Sequence, residues 1–164
     1  MKNINGYIWT LIVALLVSCT ESVNNAEKVD RLPDIYPDYI GVTIPAGIAP
    51  MDFNVEENGC VKVDVIAKGS KQGEIHIQGE WAEWDVDEWH ELTRQNIGGS
   101  IDITVRVKTE DGQWKEYRTF KMYVSQYPLD DFGITYRRIQ PGYEVGGNIG
   151  IYQRDIHSFD EYPM

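Results

Sequence analysis

The clearest pattern in the chain is a two-residue alternation of apolar and polar positions between residues 60 and 125. It runs through CVKVDVIAK (60–68), SIDITVRVK (100–108) and WKEYRTFKMYVS (114–125), each of which predicts a half-buried strand. The alternation places these residues in the predicted core: Val61, Val63, Val65, Ala67, Ile101, Ile103, Val105, Val107, Phe120, Met122 and Val124. It places these residues on the opposite face of the first strand: Lys62, Asp64 and Lys68.

Turn-forming clusters separate the predicted strands every 8 to 12 residues. GSKQG joins the first long strand to EIHIQG (74–79), and TEDGQ offers Asp111-Gly112 where a hairpin needs a positive φ. Shorter strand patterns precede them in IGVTIP and APMDFNVE, and no βαβ pattern exists, which excludes the common nucleotide-binding folds. We predict an all-β fold, an immunoglobulin-like β-sandwich with one short crossover helix, followed by an orphan C-terminal β-hairpin.

The predicted helix lies in an aromatic and acidic stretch, GEWAEWDVDEWHEL, residues 79–92. Asp85 followed three residues later by Glu88 is the spacing of a capping box, and it predicts a helix over about residues 86–93. Val86 and Trp89 then fall on one apolar stripe. The pattern indicates a helix that lies against the end of the sandwich, with its acids in solvent.

The three tryptophans of this stretch allow two interpretations. In the first, Trp84 and Trp89 pack in the core. In the second, exposed Trp81, Trp84 and Trp89 form a sugar-stacking surface with Glu83 and Asp85 available to bond hydroxyl groups. The odd spacing of Trp81 and Trp84 puts them on opposite faces of a regular strand. We therefore expect Trp89 to be buried, Trp84 mostly buried and Trp81 the most exposed.

The sequence supports a metal site or a catalytic site less than it supports the two interpretations of the tryptophans. Asp85 and Asp87 begin a calcium-loop pattern that Trp89 interrupts, and the abundant acids include no pair that the pattern places in a closed cleft. We expect His76 on the outer face of a strand and His90 on the exposed side of the helix; His157 lies in the C-terminal tail. We expect no catalytic residues, no metal site and no cofactor.

The N-terminus predicts export and a lipid anchor. Lys2 precedes an apolar run, Tyr7 to Val17, of signal-peptide length, and the run ends at Ser18-Cys19. This ending resembles the bacterial lipobox, which implies cleavage after residue 18 and acyl chains such as palmitate on Cys19. Residues 1–18 are then a lipoprotein signal peptide and the polar residues 19–38 a tether. We expect a bacterial cell-envelope protein held on the membrane through Cys19, at the outer membrane on its periplasmic or surface side.

Composition narrows the range of partners. The chain has 15 basic and 26 acidic residues, a formal net charge of −11, and loss of residues 1–18, which contain one lysine and no acid, leaves −12. Such a charge argues against nucleic acid and against binding of anionic lipid through charge. If Cys19 is lipidated, Cys60 has no cysteine with which to form an intrachain disulfide.

The C-terminal forty residues carry a resemblance to a known family. ITYRRI and IGIYQRDI predict strands around QPGY, a Pro-Gly turn. LPDIYPDYIGVTIPAGIAPMDFNV, YPLDDFGITYRRIQPGYE and GIYQRDIHSFDE resemble the front part of exported bacterial lipoproteins labelled TolB-like propeller or cytochrome c biosynthesis proteins. The hairpin residues that match are Tyr136, Arg137, Pro141, Gly142, Tyr143, Gln153 and Arg154.

The resemblance implies a place in the envelope rather than an activity. Family members continue into a CxxCH haem-attachment segment and a propeller, and this chain has neither, so haem binding and propeller function do not carry over. We interpret residues 39–127 as the sandwich and residues 128–164 as a hairpin segment that starts a truncated second domain. The expected function is a lipid-anchored, non-catalytic interaction or spacer module, and the alternative is a carbohydrate-binding lipoprotein. Its partner would be a protein or a glycan.

Overall fold

The computed structural model of the chain describes residues 23, 25–127, 129, 133–139 and 150–164. The predicted signal peptide, Cys19 and the Pro-Gly turn at residues 141–142 lie outside the described residues. The strands are β1 (Glu27–Val29), β2 (Ile35–Tyr36), β3 (Thr43–Ile44), β4 (Asn54–Val55), β5 (Cys60–Gly69), β6 (Glu74–Gly79), β7 (Ser100–Thr109), β8 (Trp114–Tyr117), β9 (Phe120–Val124), β10 (Ile134–Arg138), β11 (Gly150–Arg154) and β12 (Glu161–Pro163). The helix, α1, is Val86–Gln95.

A seven-stranded sheet forms the centre of the molecule. Antiparallel β6, β5 and β7 lie side by side, and the far edge of β7 pairs with both β8 and β9. Two short strands complete the sheet in parallel pairs, β1 beside β8 and β3 beside β9. Smaller sheets contain β2 with β4, and β10, β11 and β12. The expectation of a mainly β fold with one short helix is confirmed.

The core lies on one face of the large sheet, where α1 covers it. The apolar side chains of β5, β7 and β9 meet Trp89 and Leu92 of α1 there, together with Phe53 from the loop before β4. Because alternate residues of a strand face the same side, the sequence pattern identified most of this face. The predicted core is confirmed at Val63, Val65, Ile103, Val105, Phe120 and Met122, all of which are buried.

Two shifts in strand register change the predicted pattern. The pairing of β5 with β7 is irregular between Cys60 and Lys62, and Val61 is 48% exposed, so its predicted inward position is wrong. The predicted single strand at residues 114–125 is two strands. Arg106 lies opposite Glu116, but Ile103 lies opposite Phe120, which leaves one extra residue on the β8–β9 side. This shift allows Tyr117 and Phe120, three residues apart, both to be buried.

The opposite face of the sheet carries an ordered row of polar side chains. Gln78, Asp64, Arg106, Glu116 and Lys28 lie at successive opposed positions across β6, β5, β7, β8 and β1. Hydrogen bonds or ion pairs link each neighbouring pair in the row. Cross-strand pairs of opposite charge stabilise sheets, so these paired side chains link the five strands on this face.

The structure changes the predicted N-terminal boundary and adds one strand to the predicted C-terminal hairpin. Folded structure begins within the expected tether, because β1 pairs with β8 and Ile35 of β2 is buried. The predicted C-terminal hairpin is present as β10 and β11, and β12 adds a third strand to it. Within this sheet, the matched residue Tyr136 stacks on Tyr152 with ring centroids 6.2 Å apart, and its hydroxyl group bonds Glu161.

Candidate interaction site

The three tryptophans of residues 79–92 separate into a buried pair and an exposed single residue. Trp89 is fully buried and Trp84 is 3% exposed, whereas Trp81 is 42% exposed, so the predicted order is confirmed. The buried rings stack 5.5 Å apart, and Phe53 lies 6.5 Å from Trp84. Trp84 Nε1 donates to the Met51 carbonyl at 3.1 Å. Only Trp81 therefore remains available to a ligand.

The predicted acids do not form a ligand set with the three rings. Asp85 is the N-cap of α1, and its carboxylate accepts hydrogen bonds from the backbone N–H groups of Asp87 and Glu88 at 3.0 Å each. The Asp85 carboxylate therefore caps the helix and bonds backbone N–H groups of its first turn. Glu83 is exposed and lies beside Trp81 at the rim of a cleft. Trp81 and Glu83 are the members of the predicted set that share a surface.

Strand β6 forms one edge of the large sheet. Among the described residues, β6 pairs with β5 and with no strand on its other side. Gly69 N donates to the Gly73 carbonyl at 2.9 Å, and Ser70 N donates to Ser100 on the β7 side. In an antiparallel pair, every second residue turns its N–H and C=O groups toward the neighbouring strand. Since Gly73 bonds Gly69 in this way, Ile75, Ile77 and Gly79 also direct their backbone groups toward β5. The N–H and C=O groups of Glu74 and His76 then point away from β5, to the side where no described strand pairs with β6.

Two open clefts lie beside this edge. The first, of about 300 Å³, lies between β6 and α1, and Ile75 and Leu92 give it apolar walls. The second, of about 530 Å³, lies at the end of β6, where Ile77 and Trp81 give it apolar walls. Ile75 and Ile77 are alternate residues on one side of β6, so the clefts follow the two-residue period of the strand.

The turn and helix that shape the first cleft are tied together by Asn96. Its side-chain amide donates to the carbonyls of Gln72 and Leu92 at 2.7 Å each, and its Oδ1 accepts from Lys71 N at 2.8 Å. Asn96 is fully buried. Gly73, with φ of +86°, packs so closely against α1 that a Cβ atom would lie 2.7 Å from the Gln95 side chain. Sequence reasoning missed Asn96, which carries no local motif beyond its place after a helix.

Exposed glutamates surround the two clefts. Glu74, Glu88 and Glu91 line the first, and Glu80 and Glu83 line the second. Among the described lining residues, no lysine or arginine contributes to either cleft. Two lysines lie next to lining residues: Lys68 Nζ is 3.6 Å from Glu74, and Lys62 Nζ donates to Gln78 Oε1 at 3.2 Å. The surface beside β6 is therefore acidic.

A buried carboxylate holds the polar side of β6. Asp64 lies on the polar face of β5, opposite the valines as predicted, and it is fully buried there because side chains from both neighbouring strands cover it. Its Oδ1 accepts from His76 Nε2 at 2.6 Å and from Gln78 Nε2 at 2.7 Å, and its Oδ2 accepts from Arg106 Nη1 at 3.0 Å. Burial by itself raises the pKa of Asp64, but these hydrogen bonds outweigh it and hold the pKa below its usual range.

Hydrogen bonds of two histidines attach the C-terminal segment to the middle of α1 and to the loop after β3. His90 was expected on the exposed side of the helix but is only 8% exposed, because residues near His157 cover it. His90 Nε2 donates to the His157 carbonyl at 2.8 Å, and His157 Nδ1 donates to the Gly47 carbonyl at 2.6 Å. Ala49 N also donates to Ile156. Each of these bonds joins positions distant in the chain, so no local pattern could reveal them. His76, in contrast, lies on the outer face of its strand as predicted.

Other kinds of site have less support in the described residues. There, no group of three histidine, cysteine, aspartate or glutamate side chains is placed to hold a metal ion. No helix in that part of the chain is long and apolar enough to cross a membrane. Cys60 is half-buried and not in a disulfide, and burial raises the pKa of its thiol. No protein-family model matches the chain, and no curated protein shows a significant match to it.

Proposed function

We propose that this protein is a lipid-anchored, non-catalytic interaction module that binds a partner at the β6 edge. The observation that carries the proposal is the pair of apolar-walled clefts beside β6, a strand that pairs, within the described part of the chain, with β5 alone. Backbone groups on an open edge supply hydrogen bonds, and clefts beside them select side chains. The hydrogen bonds that Asp64 accepts from His76 and Gln78 support this role, because they hold both side chains of β6 in fixed positions.

The anchor and the cellular location belong to the same proposal. The lipobox-like ending at Cys19 and the signal-peptide-like run before it support attachment to a bacterial envelope membrane. The module would then be the front part of a longer propeller-type lipoprotein and hold its binding surface away from the membrane. Replacing Cys19 with serine should move the protein from the detergent phase to the aqueous phase. Unchanged partitioning would contradict the anchor.

An immunoglobulin-like sandwich is the finer architecture that we propose. In support, β5, β7 and the β8–β9 pair are neighbours as in the three-stranded sheet of such domains, and β6 extends this sheet as variable-type domains do. The β2–β4 pair, α1 and the loop with Phe53 would stand in for the second sheet. Such scaffolds carry binding residues on their loops, which agrees with the position of Trp81 and Glu83 in the segment between β6 and α1.

Carbohydrate binding is the second candidate function. The exposed ring of Trp81 beside Glu80 and Glu83 favours it, since sugar rings stack on exposed aromatic faces and acids accept hydrogen bonds from hydroxyl groups. However, Trp84 and Trp89 are enclosed in the core, so a single ring is available. A single ring provides less stacking area than the three-tryptophan surface considered from the sequence.

Site-specific photo-cross-linking in the native envelope tests the proposed function. A photoreactive residue at position 81, beside the second cleft, should give an adduct that protease digests. The same residue at exposed Glu110, in the β7–β8 turn and away from the clefts, is the matched control. Equal labelling at the two positions would contradict a binding surface at β6. An adduct that resists protease but is removed by glycosidase would favour the carbohydrate alternative.

A further inference from the structure

We infer that one end of the large sheet, formed by the β7–β8 turn and the start of β1, is the membrane-facing surface of the anchored protein and rests on zwitterionic lipid headgroups. The inference rests on the lipid anchor of the proposed function and specifies which part of the molecule meets the bilayer. Three observations carry it. They are the short chain between Cys19 and β1, the direction of the strands, and the side chains at this end of the sheet.

The chain between the anchor and the folded domain is short. Strand β1 is fixed in the large sheet from Glu27 onward by its pairing with β8. Asn25 follows Cys19 by six residues, and six residues span about 20 Å at most even when fully extended. With its acyl chains in the bilayer, Cys19 lies at the lipid surface. Asn25 must therefore lie within about 20 Å of that surface.

Strand β1 enters the sheet at the end that carries the β7–β8 turn. Glu27 lies opposite Lys115, directly after the first residue of β8. Asn25 also shares a cleft of about 600 Å³ with Gly112 of the turn. The anchored chain and the β7–β8 turn are therefore on the same end of the molecule.

The β5–β6 turn, which contains Gly73, lies at the opposite end of the sheet. Cys60 at the start of β5 is opposite Thr109, whereas Gly69 at its end is opposite Ile101. The ten residues of β7 separate the two ends by about 30 Å. An orientation with the β5–β6 turn lowest would hold Asn25 about 30 Å above the lipid, beyond the reach of the six residues that follow Cys19.

Apolar side chains at the β7–β8 end suit the level of the lipid headgroups. Trp114 is half-buried and lines the cleft shared with Asn25. Val61 is 48% exposed at the same end, next to Cys60. Tryptophan is enriched where a membrane meets water, because its ring is apolar and its N–H group is polar. This end therefore offers the bilayer an indole ring and an exposed valine.

The charges at this end indicate headgroups that carry both signs. Glu27, Glu110 and Asp111 are exposed there. Lys115 follows Trp114 in β8, and Lys108 Nζ lies 5.9 Å from the centroid of the Trp114 ring. A zwitterionic headgroup presents an ammonium group to carboxylates and a phosphate group to lysines, so it matches this mixture. An anionic surface would instead be repelled by the three acids.

The test uses the lipidated protein in phosphatidylcholine bilayer discs that contain a small fraction of lipid with a gadolinium chelate on its headgroup. The chelate broadens the NMR signals of nearby amides, and the effect falls steeply with distance. Because the two turns lie about 30 Å apart along the sheet, the relaxation enhancement at Gly112 should exceed that at Gly73 by about tenfold or more.

An insertion variant and a change of lipid complete the test. Inserting about twelve glycine and serine residues between residues 24 and 25 adds about 20 Å of average reach and should lower the enhancement at Gly112 by about threefold or more. The same residues added after Met164 are the matched control and should leave it unchanged. Replacing about a third of the phosphatidylcholine with phosphatidylglycerol should not raise the enhancement at Gly112.

Four results would overturn the inference. They are equal enhancement at the two turns, greater enhancement at Gly73, enhancement at Gly112 that survives the insertion between residues 24 and 25, and a rise of more than about twofold with phosphatidylglycerol. All four are read from protein that has already partitioned with lipid, so they leave the anchor itself intact. Unchanged partitioning of Cys19→Ser would instead remove the anchor, on which the inference rests.

Discussion

Replacing Asp64 with asparagine should destabilise the protein, because the carboxylate is the centre of the polar row that crosses the sheet. Asp64 is fully buried and accepts hydrogen bonds from His76, Gln78 and Arg106. An asparagine has one carbonyl oxygen in place of two carboxylate oxygens. Its NH₂ group would face a donor, either the Arg106 guanidinium or the pair formed by His76 and Gln78.

The magnitude follows from the bonds that are lost. The substitution removes one or two of the three accepted bonds, and a hydrogen bond to a charged group contributes about 1.5 kcal/mol or somewhat more. Removing one partner of a fully buried pair typically costs about 3–5 kcal/mol. Arg106 and His76 are partly exposed here, and water can reach them. We therefore expect a loss of about 2–3 kcal/mol in the free energy of unfolding at pH 7.

The effect should depend on pH in a defined direction. The pKa of Asp64 is lowered in the folded protein, so its stabilisation is complete above the unfolded pKa of about 3.9 and is lost as the pH falls through the folded value. The stability difference between wild type and Asp64→Asn should thus be constant near neutrality and narrow below about pH 4. Urea denaturation, followed by tryptophan fluorescence from pH 7 to pH 3, measures it.

Asp102 provides the matched control on the same face of the sheet. It accepts from Lys121 Nζ at 2.5 Å, but both side chains are substantially exposed. Asp102→Asn should therefore change the unfolding free energy by no more than about 0.5 kcal/mol. An Asp64→Asn cost as small as that of the control would refute the reasoning. So would a difference between wild type and Asp64→Asn that stays constant down to pH 3.

Two further predictions concern the core and the tryptophans. Phe120→Ala should lower the unfolding free energy by about 3–5 kcal/mol in the same denaturation assay, because it leaves a cavity beside Phe53; a midpoint close to that of wild type would contradict the assigned packing. Acrylamide should quench Trp81 fluorescence far more than that of Trp84 or Trp89, so Trp81→Phe should remove most of the accessible emission from this stretch. Retention of that accessible emission in Trp81→Phe would contradict the assigned burial.

The sequence by itself determined the elements that depend on local physics. Period-two alternation identified the inner faces of β5, β7 and β9, because a half-buried strand needs apolar residues at every second position. The Asp85–Glu88 spacing located the start of α1, and Asp85 is its N-cap. The hairpin turn at Asp111-Gly112 has the expected positive φ of 83° at Gly112. The burial order of the three tryptophans followed from the helix stripe and from the odd spacing of Trp81 and Trp84.

Tertiary structure decided the features that depend on distant neighbours. One register shift, between β5 and β7, moved Val61 outward, and a second, between β8 and β9 along β7, allowed both Tyr117 and Phe120 to be buried. Nothing within one strand specifies the register of its partner. Asp64 is buried because residues 12, 14 and 42 positions away cover it. The same reason applies to the β6 edge. The order of strands in the sheet determines whether a strand has one neighbour or two. The alternation of apolar and polar residues along β6 is the same in either case, so the sequence of β6 does not show that it is an edge strand.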